Sequence, residues 1–213
     1  MTIHSRALAA ALTLLAAACA EEPQSQAENK GPMPAGEAEM LVAGGCFWCV
    51  EADLEKVAGV TEVISGYAGG TNENPTYENY DEAGHREVAL VRYDPSVIGF
   101  ERLAEVFIRT IDVTDGGGQF CDRGYEYSPA VYYSDAEERT ILETVIAEGE
   151  EEVGTTFDVP IEEAPRFWPA EDYHQDYYKK NQIRYGLYRQ ACGRDRTVKN
   201  VWGQNAGELL ASL

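Results

Sequence analysis

The run from His85 to Pro95, "HREVALVRYDP", is nearly continuous in β-forming residues and is closed by Asp94-Pro95, so it predicts one well-defined strand. The period then changes: Phe100, Leu103, Ala104, Phe107, Ile108 and Ile111 recur at helical spacing, as an amphipathic helix requires. The same mixing continues along the chain. "MLVAGG" predicts a short strand ending at two glycines, followed by a helix from about Cys46 to Val57 that stops at Gly59. "VTEVISGYAGG" predicts a strand running into a glycine turn, and "SPAVYYS" another strand. Ser134 and Glu137 read as a capping box for a helix carrying Ile141, Leu142, Val145 and Ile146. Phe157, Val159 and Ile161 alternate, with Pro160 arguing for an edge strand, and from Trp168 onward short helices and loops are expected. Strands and helices mix without strict βαβ alternation. The predicted class is α+β, a single compact domain with a mainly antiparallel sheet flanked by helices.

The 213 residues are enough for one domain with a real core, and 44% hydrophobic with 25% charged residues is a soluble globular composition. The formal charge of −20 would repel phosphate backbones, so nucleic acid is not expected as a partner. Residues 1–20 read as a signal peptide: Arg6 precedes an apolar run from Ala7 to Ala18, too short to span a bilayer. Processing before Cys19 would give a lipidated cysteine, since "LAAAC" resembles a bacterial lipobox with Ala16 in place of Leu; processing after Ala20 would discard Cys19. A lone cysteine at that point favours the lipoprotein. The expectation is an exported, lipid-anchored periplasmic or envelope protein, monomeric, touching the membrane only through that anchor. Residues 21–38 are poor in bulky apolar groups and read as a flexible linker, 39–192 as the folded domain and 193–213 as a C-terminal tail.

Export leaves Cys46, Cys49, Cys121 and Cys192. Two structural disulfides are the plain reading in an oxidising compartment, but a domain with its own core does not need staples. Cys46 falls at a strand-to-helix junction, where free N–H groups and the helix dipole favour a thiolate. Cys49 lies one turn later, close enough to bond to Cys46, while Phe47 and Trp48 put apolar surface beside the thiol. A zinc site would want a second Cys or His pair; Cys121 and Cys192 are single, and His85 and His174 lack ligand spacing, so no metal is expected. A thioredoxin-like oxidoreductase would place its CxxC in a βαβ unit, which these surroundings do not resemble.

"GGCFWCVE", "GYAGG", "NPTYENY", "GHREVALVRYDP" and "FWPAEDYHQDYYKKN", in this order from about Met40 to Asn181, together resemble the A-type methionine sulfoxide reductases, peptide-methionine (S)-S-oxide reductases. The resemblance implies a domain related to ferredoxin-like folds and no cofactor. It implies oxidised methionine, free or in proteins, as substrate, and a thioredoxin-like reductant as partner. By the same resemblance Cys46 attacks the sulfoxide sulfur and Glu87 gives a proton to its oxygen. Tyr67 and Tyr127 bind that oxygen, Asp122 is the acid of the neighbouring loop, and Phe47 and Trp48 hold the methyl group. Where many members have Gly this chain has Cys49, and Cys192 matches the C-terminal cysteines that resolve the sulfenic acid elsewhere; Cys49 is expected to resolve it here, with Cys192 as the alternative. Cys121 reads as a small buried loop residue. Ser128 stands where an Arg often follows the tyrosine.

The residues agree with these roles on chemical grounds. Reducing a sulfoxide needs a soft nucleophile on sulfur and a proton on oxygen, since oxide does not leave unassisted. The acid must be protonated near neutral pH, which a carboxyl achieves only when desolvated. Pattern alone favours a solvated Glu87, although Ala89 and Val91 at alternate positions allow a dry face, and the motif reverses that preference. An apolar wall opposite polar donors also implies strict choice between the two sulfoxide epimers. The competing expectation is a lipoprotein binding domain that keeps the scaffold without the chemistry.

Overall fold

The computed structural model describes residues 35–203, so the expected signal peptide with Cys19, and the linker as far as residue 34, lie outside the described residues. Among the described residues no helix is long and apolar enough to cross a membrane. The chain forms β1 (Ala38–Ala43), α1 (Phe47–Leu54), β2 (Val60–Ala68), β3 (Arg86–Tyr93), α2 (Phe100–Ile108), β4 (Gly118–Gln119) and β5 (Asp122–Arg123). Then come β6 (Ala130–Tyr133), α3 (Ala136–Val153), β7 (Ile161–Glu163), β8 (Phe167–Pro169), α4 (Tyr177–Lys180), α5 (Gln182–Cys192) and α6 (Arg194–Trp202). The class is α+β.

Six strands form one sheet in the order β7-β6-β1-β3-β2-β8, and β4 pairs with β5 in a separate ribbon. The sheet is mixed: the β1–β3, β1–β6, β2–β3 and β2–β8 pairings are antiparallel, but β6 and β7 run parallel. The parallel pair follows from the connection. The chain leaves β6 through α3 before returning as β7, and such a crossover brings the second strand back in the same direction. Pro160 precedes β7, which is an edge strand as the sequence predicts.

One face of the sheet carries the main core. Val42, Ala89 and Val91 pack there against Val50 and Leu54 of α1, Leu103 and Phe107 of α2, and Leu142 and Val145 of α3. The period of the α2 segment thus serves burial along one stripe. Because β3 is central and paired on both sides, its side chains are buried on both faces, Val88 joining a second cluster with Leu41 and Tyr132.

Two local expectations need correction. The cap of α3 is Asp135, whose carboxylate accepts from the N–H groups of Glu137 and Glu138, both at 2.9 Å. Ser134 sits one residue further out, where its N–H donates to Glu138 at 2.7 Å. Asp outcompetes Ser because its charge also meets the positive end of the helix. Of the segment 193–213 set apart as a tail, α6 packs with the domain: Val198 and Trp202 join the main core and Arg194 is 2% exposed, while residues 204–213 lie outside the described residues. The charged sequence of α6 hides this, because few apolar anchors are enough for a short helix.

Candidate active site

Cys46 is the N-cap of α1, delivered by β1 and the turn at Gly44-Gly45. Gly45 has φ +78°, and a Cβ there would come 2.5 Å from Gln119, so this sharp entry needs glycine. The sulfurs of Cys46 and Cys49 are free thiols in mutual hydrogen-bond contact, both buried. Glu87 lies opposite Tyr67 in the β2–β3 register, on the face covered by α1. Its Oε2 accepts from the N–H of Phe47 at 2.9 Å, and its Oε1 lies 3.2 Å from the hydroxyl of Tyr80. The Tyr80 hydroxyl is also 3.2 Å from that of Tyr127.

Cys46, Phe47, Trp48, Tyr77, Glu87, Asp122, Tyr127 and Tyr188 line one opening with a cavity volume of about 90 Å³, below the range for drug-sized ligands and room for a side-chain tip. The expected Cys46, Glu87, Tyr127, Asp122, Phe47 and Trp48 therefore share one site. Tyr67 does not line it. It is 0% exposed and its hydroxyl donates to Glu171 at 3.0 Å. The other oxygen of Glu171 accepts from the N–H of Tyr77 at 2.9 Å, so Tyr67 supports the segment that presents Tyr77. The tyrosines that line the opening are Tyr77, Tyr127 and Tyr188, with Tyr80 behind them, its hydroxyl between Glu87 and Tyr127. Tyr77 and Tyr80 lie within "NPTYENY", where residue type alone does not separate a pocket tyrosine from a core one.

The electrostatics also revise one expectation. Burial, and then the neighbouring Cys49 and Glu87, push the Cys46 thiol well above its ordinary range. The helix N-terminus does not offset this, because its Phe47 N–H is taken by Glu87. Cys49 is instead brought down to about 7, chiefly by the hydrogen bond from Cys46, with help from the cations of Arg194 and Arg189. Arg194 donates to the carbonyl of Gly44 at 3.1 Å, and both arginines reach the buried Asp53, at 3.4 and 3.0 Å. The resting pair is therefore a Cys46 thiol donating to Cys49. Burial pushes the Glu87 carboxyl up to about 8, so it holds its proton at neutral pH.

The apolar wall is fixed by "FWPAEDYHQDYYKKN". The Trp48 indole stacks on Tyr177 with ring centroids 3.8 Å apart and donates to Nδ1 of His174 at 3.1 Å. Gln175 bonds to both the N–H and the carbonyl of Ser65, at 3.0 and 2.9 Å, tying this segment to β2. On the other wall Arg86 donates to Ser128 at 2.8 Å and pairs with Glu162 at 2.8 Å, holding the loop that carries Tyr127. Ser128 thus receives an arginine from β3 instead of supplying one.

Cys192 is disulfide-bonded to Cys121, their Cα atoms 4.9 Å apart. Cys121 is exposed, not a buried loop residue: β5 is a short surface ribbon whose next residue, Asp122, turns toward the pocket. The Tyr188 hydroxyl donates to Asp122 and is within hydrogen-bond reach of Cys46. Sulfurs and acids near one another at Cys121, Asp122 and Cys192 could suit a metal, but both sulfurs are used in the disulfide. In the other acid cluster Glu51 accepts from the Asp176 N–H and Glu55 pairs with Lys179, so the protein already occupies it.

Residues 38–206 match the family described as peptide methionine sulfoxide reductase. Peptide methionine sulfoxide reductase MsrA 2 of Rhizobium meliloti is 50% identical over 82% of this chain and 89% of its own length. The MsrA 2 of Caulobacter vibrioides is 45% identical over 76% of this chain and 84% of its own. Among solved structures, reduced Mxr1 from Saccharomyces cerevisiae superposes with a TM-score of 0.66 at 28% identity, covering 70% of this chain and 88% of that one. Methionine sulfoxide reductase A of Corynebacterium diphtheriae gives 0.62 at 27% identity, covering 70% and 77%. With a buried cysteine pair, a protonated carboxyl and an aromatic wall gathered in one pocket, and relatives this similar over most of its length, the chain belongs to the peptide methionine sulfoxide reductase family, on its A-type branch.

Proposed function

We propose that the chain reduces methionine S-sulfoxide, free and in proteins, to methionine, using Cys46 as nucleophile, Glu87 as acid and Cys49 as resolving thiol. The observation that carries this reading is the convergence of the Cys46 sulfur and the Glu87 carboxyl in one small pocket walled by Phe47 and Trp48. As substrate enters, the Cys46 proton passes along its hydrogen bond to Cys49, and the thiolate attacks the sulfoxide sulfur. Glu87, held by the Tyr80 hydroxyl, gives its proton to the oxygen, which Tyr127 and Tyr77 face from the pocket lining. The products are methionine and a Cys46 sulfenic acid. Cys49, brought near 7, is a competent thiolate at neutral pH and needs no loop movement to reach it. Reversing the epimer would set oxygen against the indole wall, leaving it unpaired at about 1–3 kcal/mol, and aim the methyl at Glu87.

Assay of the two separated epimers, with Cys46→Ser as control, tests the reading. Turnover of the S form only, lost in the control, is expected. Equal rates on both epimers overturn the pocket geometry, and a control with more than about one per cent of the parent rate overturns the nucleophile.

A dithiol protein of thioredoxin type fits as reductant, since the final state is an intramolecular disulfide. We also infer an exported, lipid-anchored monomer. The basic start, short apolar run and Cys19 of the first 20 residues support export and anchoring, and fractionation of a Cys19→Ala variant tests the anchor. Kinship with ferredoxin-like folds is supported by β1-α1-β2-β3-α2-β6 and the strand order β6-β1-β3-β2.

A further inference from the structure

We propose that Tyr188, backed by Asp122, is the acid of the second half-reaction: it protonates the hydroxide that leaves the Cys46 sulfenic acid when Cys49 closes the disulfide. The proposal rests on the function above and deepens it.

The second step needs a proton that the first donor no longer holds. Glu87 has given its own to the sulfoxide oxygen and is left as a carboxylate, bonded to the Phe47 N–H and near Tyr80. Displacement at sulfur is in line, so Cys49 approaches from the helix side and the hydroxyl of the sulfenic acid points the opposite way, into the pocket. Tyr188 lines that pocket and its hydroxyl is the group, apart from Cys49, in hydrogen-bond contact with the Cys46 sulfur. Behind it stands the Asp122 carboxyl, which also lines the pocket and reaches solvent through its opening.

The step balances. Cys49, at about 7, first loses to solvent the proton it took from Cys46; the S–O bond of Cys46 then breaks as the Cys49 thiolate forms the S–S bond. Cys46 is reduced and Cys49 oxidised, and hydroxide leaves. Tyr188 supplies the proton that makes water, and Asp122, in its acid form, returns one to the phenolate oxygen. Burial raises the Asp122 carboxyl above its ordinary range, which favours the acid form. Asp122 is then recharged from solvent.

The covalent frame fits this use. Cys121 precedes Asp122, and Cys192 lies one helical turn after Tyr188 on α5, so the Cys121–Cys192 bond fastens donor and backer together from both chains of the contact. The bond is thereby given a task outside electron transfer: it keeps the phenol on the sulfur.

Single-turnover reaction of the whole chain, with Cys46 and Cys49 as thiols, separates the steps. Methionine is measured by chromatography, sulfenic acid by a dimedone-type probe and the Cys46–Cys49 bond by mass spectrometry. Tyr188→Phe is expected to accumulate sulfenic acid and to close the disulfide about 10²-fold more slowly, a loss well beyond that in methionine formation, which the phenol's hydrogen bond to the Cys46 sulfur also touches. Asp122→Asn, which keeps the phenol and its packing, is expected to slow the same step alone, and it carries the test if Tyr188→Phe fails to fold. Closure at the parent rate in the folded variants overturns the proposal, as does loss of methionine formation in parallel with closure. A parent chain that forms no methionine overturns instead the function on which the proposal rests.

Discussion

The indole N–H of Trp48 donates to Nδ1 of His174 at 3.1 Å, and the two rings lie 5.6 Å apart between centroids. Only a neutral imidazole accepts in this way. Burial holds His174 down to about 4, so the bond persists from there through neutral pH. His174→Leu leaves the buried indole N–H unpaired, at about 1–3 kcal/mol in stability. The expected kinetic effect is a several-fold rise in KM with a smaller change in kcat, since the wall that holds the methyl loses its orientation. Steady-state kinetics and a urea melt measure both, and an unchanged KM would mean that Tyr177 stacking alone holds Trp48.

Under the proposed function the Glu87 carboxyl, pushed up to about 8, would act only in its protonated form. The rate of methionine formation in single turnover is therefore expected to fall as pH rises through that value, and to fall also as pH drops below about 7, where Cys49 no longer takes the Cys46 proton. Glu87→Gln should remove the descending limb together with most of the rate, about 10²-fold or more, because an amide cannot supply the proton. A descending limb of the parent's position in the Gln variant would assign it to another group.

Glu51 gives a second pH dependence, this one in stability. Its carboxyl is 1% exposed, Oε1 accepts from the Asp176 N–H at 2.8 Å, and Oε2 has no hydrogen-bond partner among the described residues. Burial raises it to about 8. Between its ordinary value and that one the native state holds a proton that the unfolded chain has lost, so stability falls as pH rises across this window. The slope is at most about 1.4 kcal/mol per pH unit for one carboxyl. Glu51→Gln is expected to flatten the fall, and so to melt higher than the parent at pH near 8 while differing little at pH near 5. Parallel melting curves for the two chains across that range would show that Glu51 ionises freely.

Much of the site was legible because local chemistry and chain order point the same way. Cys46, Cys49, Phe47 and Trp48 sit within one turn, so a single motif fixes their relation. The dry setting of Glu87 was legible only through its motif, since dryness depends on α1 covering β3, a contact between distant segments. The assignment of Tyr67 to the pocket failed for a related reason. A tyrosine on an alternating strand can face either a cavity or a buried carboxylate, and Glu171, which decides the matter, is far along the chain. Tyr188 was silent in the sequence because its place beside Cys46 and Asp122 comes from α5 lying against β5, joined by the Cys121–Cys192 bond. The charge on α6 likewise concealed a helix that places Arg194 under the cysteine pair.

The correction at Tyr67 can be tested directly. Tyr67→Phe removes a donor to Glu171, and Tyr77→Phe removes a hydroxyl from the pocket itself. Tyr67→Phe is expected to destabilise by about 1–3 kcal/mol, the range for a buried carboxylate left short of a partner, with kcat/KM within a few-fold of the parent. Tyr77→Phe is expected to do the reverse, sparing stability and lowering kcat/KM about tenfold through weaker binding of the oxygen (about 1.4 kcal/mol). A larger kinetic loss in Tyr67→Phe than in Tyr77→Phe would return Tyr67 to the reacting atoms.

The disulfide bears on the last point, which thiol would resolve the sulfenic acid. Cys49 touches Cys46 already, whereas Cys192 is bonded to Cys121 and would have to be reduced and then move to reach Cys46. Proximity without rearrangement gives Cys49 the higher effective concentration. Cys192→Ser is therefore expected to yield one methionine per chain and a Cys46–Cys49 bond. Because the clamp on Tyr188 is gone, closure should slow, though less than in Tyr188→Phe. Cys49→Ser should give the same methionine and stop at the sulfenic acid, trapped by a dimedone-type probe. Peptide mapping of both variants after one turnover reads the outcome. A Cys46–Cys192 bond in the parent, with Cys49 left free, would reverse the order of the two thiols and make the Cys121–Cys192 bond a resting store of oxidising equivalents instead of a clamp.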